Sequence, residues 1–443
     1  MTKLKDILSE PCGLRYMVES LDIRSGVARR MLLDTEMMTS CQDIEKEYAA
    51  LATYVRAIND TANLMAVKTL QFRLQGLKDI RTTLSNLKEG RVLDDIELFE
   101  IKHLSMLAGE VARQMTQVGL EADWQCTEDI TRILDPEGLH IATFYVYDAY
   151  SELLQQLRRQ QEREKDNIRL AEQIAEEENR IRTELSRNLR SYASALREAL
   201  IKIAQVDIRT AKALQVRALG LCFPTLGNDW CLTQMWNPEL SAILEKKGKA
   251  VQRNTIQLGD CPTILTGANM GGKTVVLKTV ALCQYLMQMG FGIPAEKAEM
   301  HPFEAVFTCI ADGQSMESGL SSFAAEMKGI DNILTAARQN RNILALIDEP
   351  ARTTNPTEGT ALVSALIAVL RETACTTLLV THYCIRAYGC PCLRVRGLEN
   401  GEMNYELLPA LAGEVPHEAL HIAEQLGIDN DWIRRAKKEL EED

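Results

Sequence analysis

No run of about 18 uncharged apolar residues occurs in the 443-residue sequence, so no membrane-spanning helix is expected. The start, Met1-Thr2-Lys3-Leu4-Lys5-Asp6, meets charge before the apolar core of a signal peptide could form, which points to a cytoplasmic protein. Positive charge is in deficit: 50 Lys and Arg stand against 62 Asp and Glu, a formal net charge of -12. That balance works against non-specific attraction to nucleic acid, which depends on clustered Lys and Arg, and leaves only a local basic surface for such a partner. A disulfide framework is lacking as well, because the 12 cysteines are scattered over a large chain without an export signal. Reduced thiols are expected. The sequence also has no Asn-Lys-x-Asp motif, so a guanine-reading site is not expected.

Neither Gly nor Pro occurs from Leu139 to Leu219, whereas glycine-containing turns recur beyond Gly220. This change of texture divides the chain into a mostly helical part, residues 1–219, and a mixed part, residues 220–443. Ile174, Ile181, Leu185, Leu189, Tyr192, Leu196, Leu200 and Ile203 recur at helical spacing and form one buried stripe. Residues 158–167 contain no apolar side chain, which suits the tip of an antiparallel helical hairpin or a solvated stretch of one continuous helix. The hairpin reading predicts arms of roughly 20 to 40 residues, about 30 to 60 Å long. Downstream, Thr263-Ile264-Leu265-Thr266, Ile343 to Ile347 and Thr377-Leu378-Leu379-Val380 read as buried parallel strands alternating with helices. An α/β nucleotide-binding domain is the expected class.

The first of these strands runs into Gly267-Ala268-Asn269-Met270-Gly271-Gly272-Lys273-Thr274, which satisfies G-x-x-x-x-G-K-[ST] and leads through Val275 into a helical run. Glycines let backbone N–H groups turn inward around phosphates, and the helix N-terminus adds its positive end. Lys273 is expected to reach the β and γ oxygens of ATP, and Thr274 to ligate Mg2+. The second strand ends in adjacent carboxylates. Asp348 is placed to hold Mg2+, and Glu349 to polarise the attacking water as general base. The third strand ends in Thr381-His382, which sets an imidazole at the same sheet edge, either as a γ-phosphate contact or as a structural histidine.

These motifs, together with Ile293-Pro294-Ala295, Ser318-Gly319-Leu320-Ser321-Ser322-Phe323 and Thr381-His382-Tyr383, resemble the ATPase core of the MutS family in identity, order and spacing over roughly residues 230–443. The resemblance implies an α/β P-loop NTPase (ABC-type ATPase) domain preceded by a mostly α-helical core and lever domain with a long helical hairpin. It further implies two ATPase domains facing each other in a homodimer or a heterodimer with a related subunit. In such a pair Ser321 of one subunit meets the nucleotide held by the other, and residues from about 416 to 443 form dimerising helices. Gly272-Lys273-Thr274-Val275 and Asn355-Pro356-Thr357-Glu358-Gly359 look closer to the paralogue branch that lacks mismatch-recognition domains.

Departures from the family pattern bear on function. Where members usually carry Gly-x-Gly after the acid pair, this chain has Ala351 and Thr353 within Pro350-Ala351-Arg352-Thr353-Thr354-Asn355-Pro356. The chain has no room for amino-terminal mismatch-reading and connector domains, so no Phe-x-Glu wedge is expected. No carboxy-terminal nuclease domain like that of the related branch is expected either. Arg158, Arg159, Arg163 and Lys165 at the expected hairpin tip are mixed with Glu162, Glu164 and Asp166, unlike a DNA clamp. The Asp-Glu-Pro-Ala-Arg-Thr-Thr-Asn-Pro segment is similar to a shortened MutS-like branch that accompanies adenosylcobalamin-dependent aminomutases and reactivates them. This implies an aminomutase client. Mismatched or branched DNA is the alternative.

Two further patterns have alternative readings. His417-Glu418-Ala419-Leu420-His421 matches the H-E-x-x-H of zinc sites, yet coincides with the family's terminal helices. Cys384, Cys390 and Cys392 near His382 suit a soft-metal site or ordinary reduced thiols. Trp236, upstream of the glycine-rich loop, is either an adenine contact or core.

Overall fold

The run Ile343 to Ile347 has no polar side chain, and such a segment is stable as a strand only with both faces covered. In the computed structural model it becomes an inner strand, and all five residues are buried. The structure describes residues 2–125, 127–141, 143–267, 272–310, 319–339, 341–373, 375–399, 402–410 and 427–442. Contacts divide the chain into two units. One comprises Met1–Ser20, Glu36–Ala49 and Ala218–Asp443, the other Leu21–Thr35 and Ala50–Arg217. The change of texture near residue 220 thus coincides with one boundary, whereas residues 1–20 and 36–49 fold with the mixed part rather than with the helices that follow them in sequence.

The mixed unit holds strands β1 (Thr225–Leu226), β2 (Trp230–Met235), β3 (Asn254–Leu258), β4 (Thr263–Thr266), β5 (Lys297–Met300), β6 (Ala305–Cys309), β7 (Ile343–Asp348), β8 (Thr376–Val380), β9 (Cys392–Glu399) and β10 (Glu402–Pro409). They form a sheet in the order β1-β5-β2-β3 and a six-stranded sheet in the order β10-β9-β4-β8-β7-β6. Within the larger sheet β9, β4, β8, β7 and β6 are parallel neighbours, and only β10 runs antiparallel. All three strands expected from the sequence are here, side by side.

Helices cover this sheet. Lys273–Gln288 is buried on nearly every side, and its polar residues are satisfied: Gln284 accepts from Trp230 Nε1 at 2.8 Å, and Gln288 donates to Phe303 O at 2.8 Å. Pro356–Arg371 begins where the Asn355 side chain accepts from Thr357 N–H at 2.9 Å, with Pro356 at the first helical position, where its missing N–H costs nothing. Ile330, Ile333 and Ala337 of the helix Gly319–Arg338 join Val363, Ile367 and Leu370 in the core against β7 and β8.

In the helical unit, Glu152–Arg163 and Ile168–Leu189 pack against each other as the expected hairpin. Its first arm is 12 residues, shorter than expected, because the Ser151 hydroxyl caps it by accepting from Leu154 N–H and a 3-10 turn, Asp148–Tyr150, precedes it. The stripe of Ile174, Ile181, Leu185, Leu189, Leu196, Leu200 and Ile203 is buried, and only Tyr192 is less so. Lys102 is buried whole. Its ammonium donates to Asp135 Oδ1 at 3.0 Å, to Tyr147 OH at 2.9 Å and to Thr143 O at 3.2 Å, which uses all three of its protons. No described helix is long and apolar enough to cross a membrane.

Candidate functional site: a converging loop, acid pair and histidine

The registers of β4, β8 and β7 bring Leu265, Val380 and Asp348 level across three adjacent strands. Chain leaving each strand therefore emerges at one sheet edge. Two backbone bonds extend the ladder beyond the strands: Thr381 N–H donates to Leu265 O at 3.1 Å, and Glu349 N–H to Val380 O at 2.9 Å. The loop after β4, the acid pair after β7 and His382 after β8 are thus fixed side by side by sheet geometry.

Gly267 has φ of 142°, accessible in practice only to glycine, and Gly272 has φ of 71°. Gly272 also needs the space, since a Cβ there would lie 3.0 Å from the Tyr405 ring. It caps the helix Lys273–Gln288, with Val276 N–H donating to its carbonyl at 3.1 Å. Ala268, Asn269, Met270 and Gly271 lie outside the described residues.

Lys273 is buried, and its ammonium donates to Gly267 O at 2.7 Å and lies 3.3 Å from Glu349 Oε1. Thr274 Oγ1 donates to Asp348 Oδ2 at 2.9 Å. Asp348 Oδ1 is buried without a hydrogen-bond partner among the described residues, and burial pushes the carboxyl above its ordinary range, with the Thr274 hydroxyl pulling the other way. An orphaned carboxylate oxygen beside a threonine hydroxyl suits a hard cation such as Mg2+, which takes oxygen ligands. His382 Nδ1 is 3.9 Å from Glu349 Oε1, too far for a hydrogen bond, and has no hydrogen-bond partner among the described residues. Its ring rests against Tyr383 at 4.4 Å between centroids.

Ser321 lies in the helix Gly319–Arg338, and its side chain is outside the described residues. Val275 faces outward, 36% exposed. Trp236 is buried with the Arg253 guanidinium 4.2 Å over its ring, an arrangement that fits core packing. Among the described residues no group of three or more His, Cys, Asp and Glu side chains is arranged to hold a metal ion. This favours the reduced-thiol reading of Cys384, Cys390 and Cys392, none of which is in a disulfide and of which one is exposed, one buried and one intermediate. His417, Glu418 and His421 lie outside the described residues, as do residues 411–426; Asn430–Glu442 is a helix that buries Ile433 and exposes Trp432.

Two neighbours of the site, Glu326 and Tyr383, were given no role in the sequence reading. Ala351 N–H donates to Glu326 Oε1 at 2.9 Å, and Tyr383 OH donates to Ala351 O at 2.8 Å. Gly359 was a signal for the second, because a glycine inside a helix asks for a packing reason.

Residues 263–387 match MutS domain V. The chain is 34% identical over 288 residues to Endonuclease MutS2 of Pediococcus pentosaceus, covering 61% of this chain and 35% of that one. It is 38% identical over 191 residues to Endonuclease MutS2 of Ruminiclostridium cellulolyticum, covering 41% and 23%. DNA mismatch repair protein MutS of Thermus thermophilus is 30% identical over 283 residues, with 62% and 34% covered. The chain spans about a third of the length of such relatives. The strand ends that carry Gly267, Asp348 and Thr381 all fall inside the segment that matches MutS domain V.

Proposed function

We propose that the chain is a Mg2+-dependent ATP hydrolase of the P-loop type. The observation that carries this reading is the convergence of Lys273, Thr274, Asp348 and Glu349, with Lys273 Nζ 3.3 Å from Glu349 and Thr274 Oγ1 2.9 Å from Asp348. The backbone from Gly267 to Val275 cradles the phosphates of ATP, and Lys273 swings from the Gly267 carbonyl and Glu349 to the β and γ oxygens. Mg2+, held through Thr274 and Asp348, would neutralise charge on those oxygens. Glu349, released from Lys273, accepts a proton from the water that attacks the γ-phosphorus. The bond from that phosphorus to the β-γ bridging oxygen breaks, and ADP and phosphate leave. His382 stands beside Glu349 to contact the γ-phosphate. Phosphate release by the purified chain tests this: it should require Mg2+ and be lost in Lys273→Ala.

The family resemblance supports a dimer, as homodimer or with a related subunit, in which Ser321 completes the partner's site and residues 416–443 contribute to pairing. The names of the relatives, an endonuclease and a mismatch repair protein, support mismatched or branched DNA as what the ATP cycle acts on. One observation favours a second reading, a protein client such as a cobalamin-dependent aminomutase. Two basic residues of the helical hairpin are neutralised by acids: Arg158 pairs with Asp148 and Glu178 at 2.6 and 2.7 Å, and Arg182 with Asp95 and Glu178 at 2.8 and 3.2 Å. Phosphate binding needs unopposed cations. A salt-sensitive, submicromolar affinity for branched DNA favours the first reading, and ATP-dependent recovery of an inactivated aminomutase the second.

A further inference from the structure

Glu349 and Ala351, on either side of Pro350, have φ of 44° and 62°. Neither is glycine, and side chains with a Cβ stay in this left-handed region only where the surroundings over-determine it. The Ala351 peptide is held at both of its polar groups. Its N–H donates to Glu326 Oε1 at 2.9 Å, from the helix Gly319–Arg338, and its carbonyl accepts from Tyr383 OH at 2.8 Å, from the chain leaving β8. Thr354 N–H bonds the same carbonyl at 3.1 Å. Ala351 is 1% exposed and Tyr383 7%, so water competes little for the bond between them.

The Tyr383 hydroxyl reaches this carbonyl because Gly359 leaves room for it. A Cβ at Gly359 would meet Tyr383 Cζ and its hydroxyl oxygen at 2.6 Å. Gly359 is not among the residues with positive φ, so its backbone does not require glycine, and a glycine within a helix weakens the helix. The sequence therefore gives up helix propensity at Gly359 and backbone comfort at Ala351 in favour of one contact.

We propose that Glu326 and Tyr383 are positioning residues for hydrolysis: by clamping the N–H and carbonyl of Ala351, they hold the Glu349–Ala351 turn left-handed and aim the Glu349 carboxylate. The inference rests on the ATP hydrolase reading. A glycine at 351 adopts the same conformation without a clamp, which makes the device testable by rescue.

The experiment is steady-state ATP hydrolysis by the full chain carrying Tyr383→Phe, Glu326→Ala or Glu326→Gln, each with and without Ala351→Gly. Tyr383→Phe and Glu326→Ala should each lower kcat about tenfold, equivalent to about 1.4 kcal/mol, with KM for ATP within about twofold. Adding Ala351→Gly should restore most of the rate to both. Glu326→Gln keeps an acceptor for Ala351 N–H and should recover most of what Glu326→Ala loses. Failure of Ala351→Gly to restore either variant, or parallel changes in kcat and KM, overturns the inference while leaving the hydrolase reading intact. Absence of hydrolysis in the unaltered chain overturns both.

Discussion

Thr274 donates its hydroxyl to Asp348 Oδ2 at 2.9 Å, while the other oxygen of the same carboxylate is buried with no hydrogen-bond partner among the described residues. The pair ties the first turn of a helix to the end of β7. It also leaves a buried acceptor whose natural complement is a cation, since an unsatisfied carboxylate oxygen in a low-dielectric site is costly.

Asp348→Asn should therefore separate cation use from folding. The amide keeps the size and can still accept from Thr274, but its charge is gone. Hydrolysis should fall by at least about a hundredfold, and the Mg2+ concentration for half-maximal phosphate release should rise. Thermal unfolding without nucleotide should change little or rise, because burial already disfavours the charged form of Asp348.

Gly359→Ala sets two effects against each other. A methyl group on an exposed helix gains up to about 1 kcal/mol over glycine. Here it would lie 2.6 Å from Tyr383, and overpacking of this kind costs about 1 to 3 kcal/mol. Net destabilisation is expected, read as a lower urea midpoint, together with a fall in hydrolysis because the Tyr383 hydroxyl is displaced.

Lys102 and Asp135 test the helical unit. Lys102→Ala leaves the buried Asp135 carboxylate without its ammonium and should cost about 3 to 5 kcal/mol in urea unfolding. Replacing Lys102 with Met and Asp135 with Asn together should cost less than Lys102→Ala alone, because no uncompensated charge remains.

Glu177 gives a pH signature. Hydrogen bonds from Arg180, the larger influence, and from Ser151 hold its carboxyl down to about 2. A carboxyl depressed in the folded state contributes stability above its unfolded value, 4.5, and loses it as pH falls toward about 2. Stability measured by denaturation should decline across that window by on the order of 1 to 3 kcal/mol more than in Glu177→Gln.

The parts of the site legible in the sequence are those fixed by local chemistry. Gly267 and Gly272 occupy positive φ, where glycine is the natural residue, and Asp348 and His382 follow apolar strands whose shared edge is dictated by parallel pairing. Ala351 was not legible, because its left-handed conformation comes from Glu326 and Tyr383, partners distant in sequence. Where the resembled family usually carries glycine, Ala351 keeps a glycine-like φ, while Thr353 is not among the positive-φ residues. The grouping of residues 1–20 and 36–49 with the mixed unit was equally hidden, since helical periodicity tells which face is buried and not which neighbour buries it.

The most direct test of the central claim compares ATP binding and hydrolysis in the unaltered chain and in Glu349→Gln. Glutamine preserves the shape beside Lys273 but cannot take a proton from water. The account predicts Mg2+-dependent phosphate release by the unaltered chain, a loss of about a hundredfold or more in Glu349→Gln, and retained ATP affinity. Equal hydrolysis by both proteins, or no ATP binding by either, would contradict it.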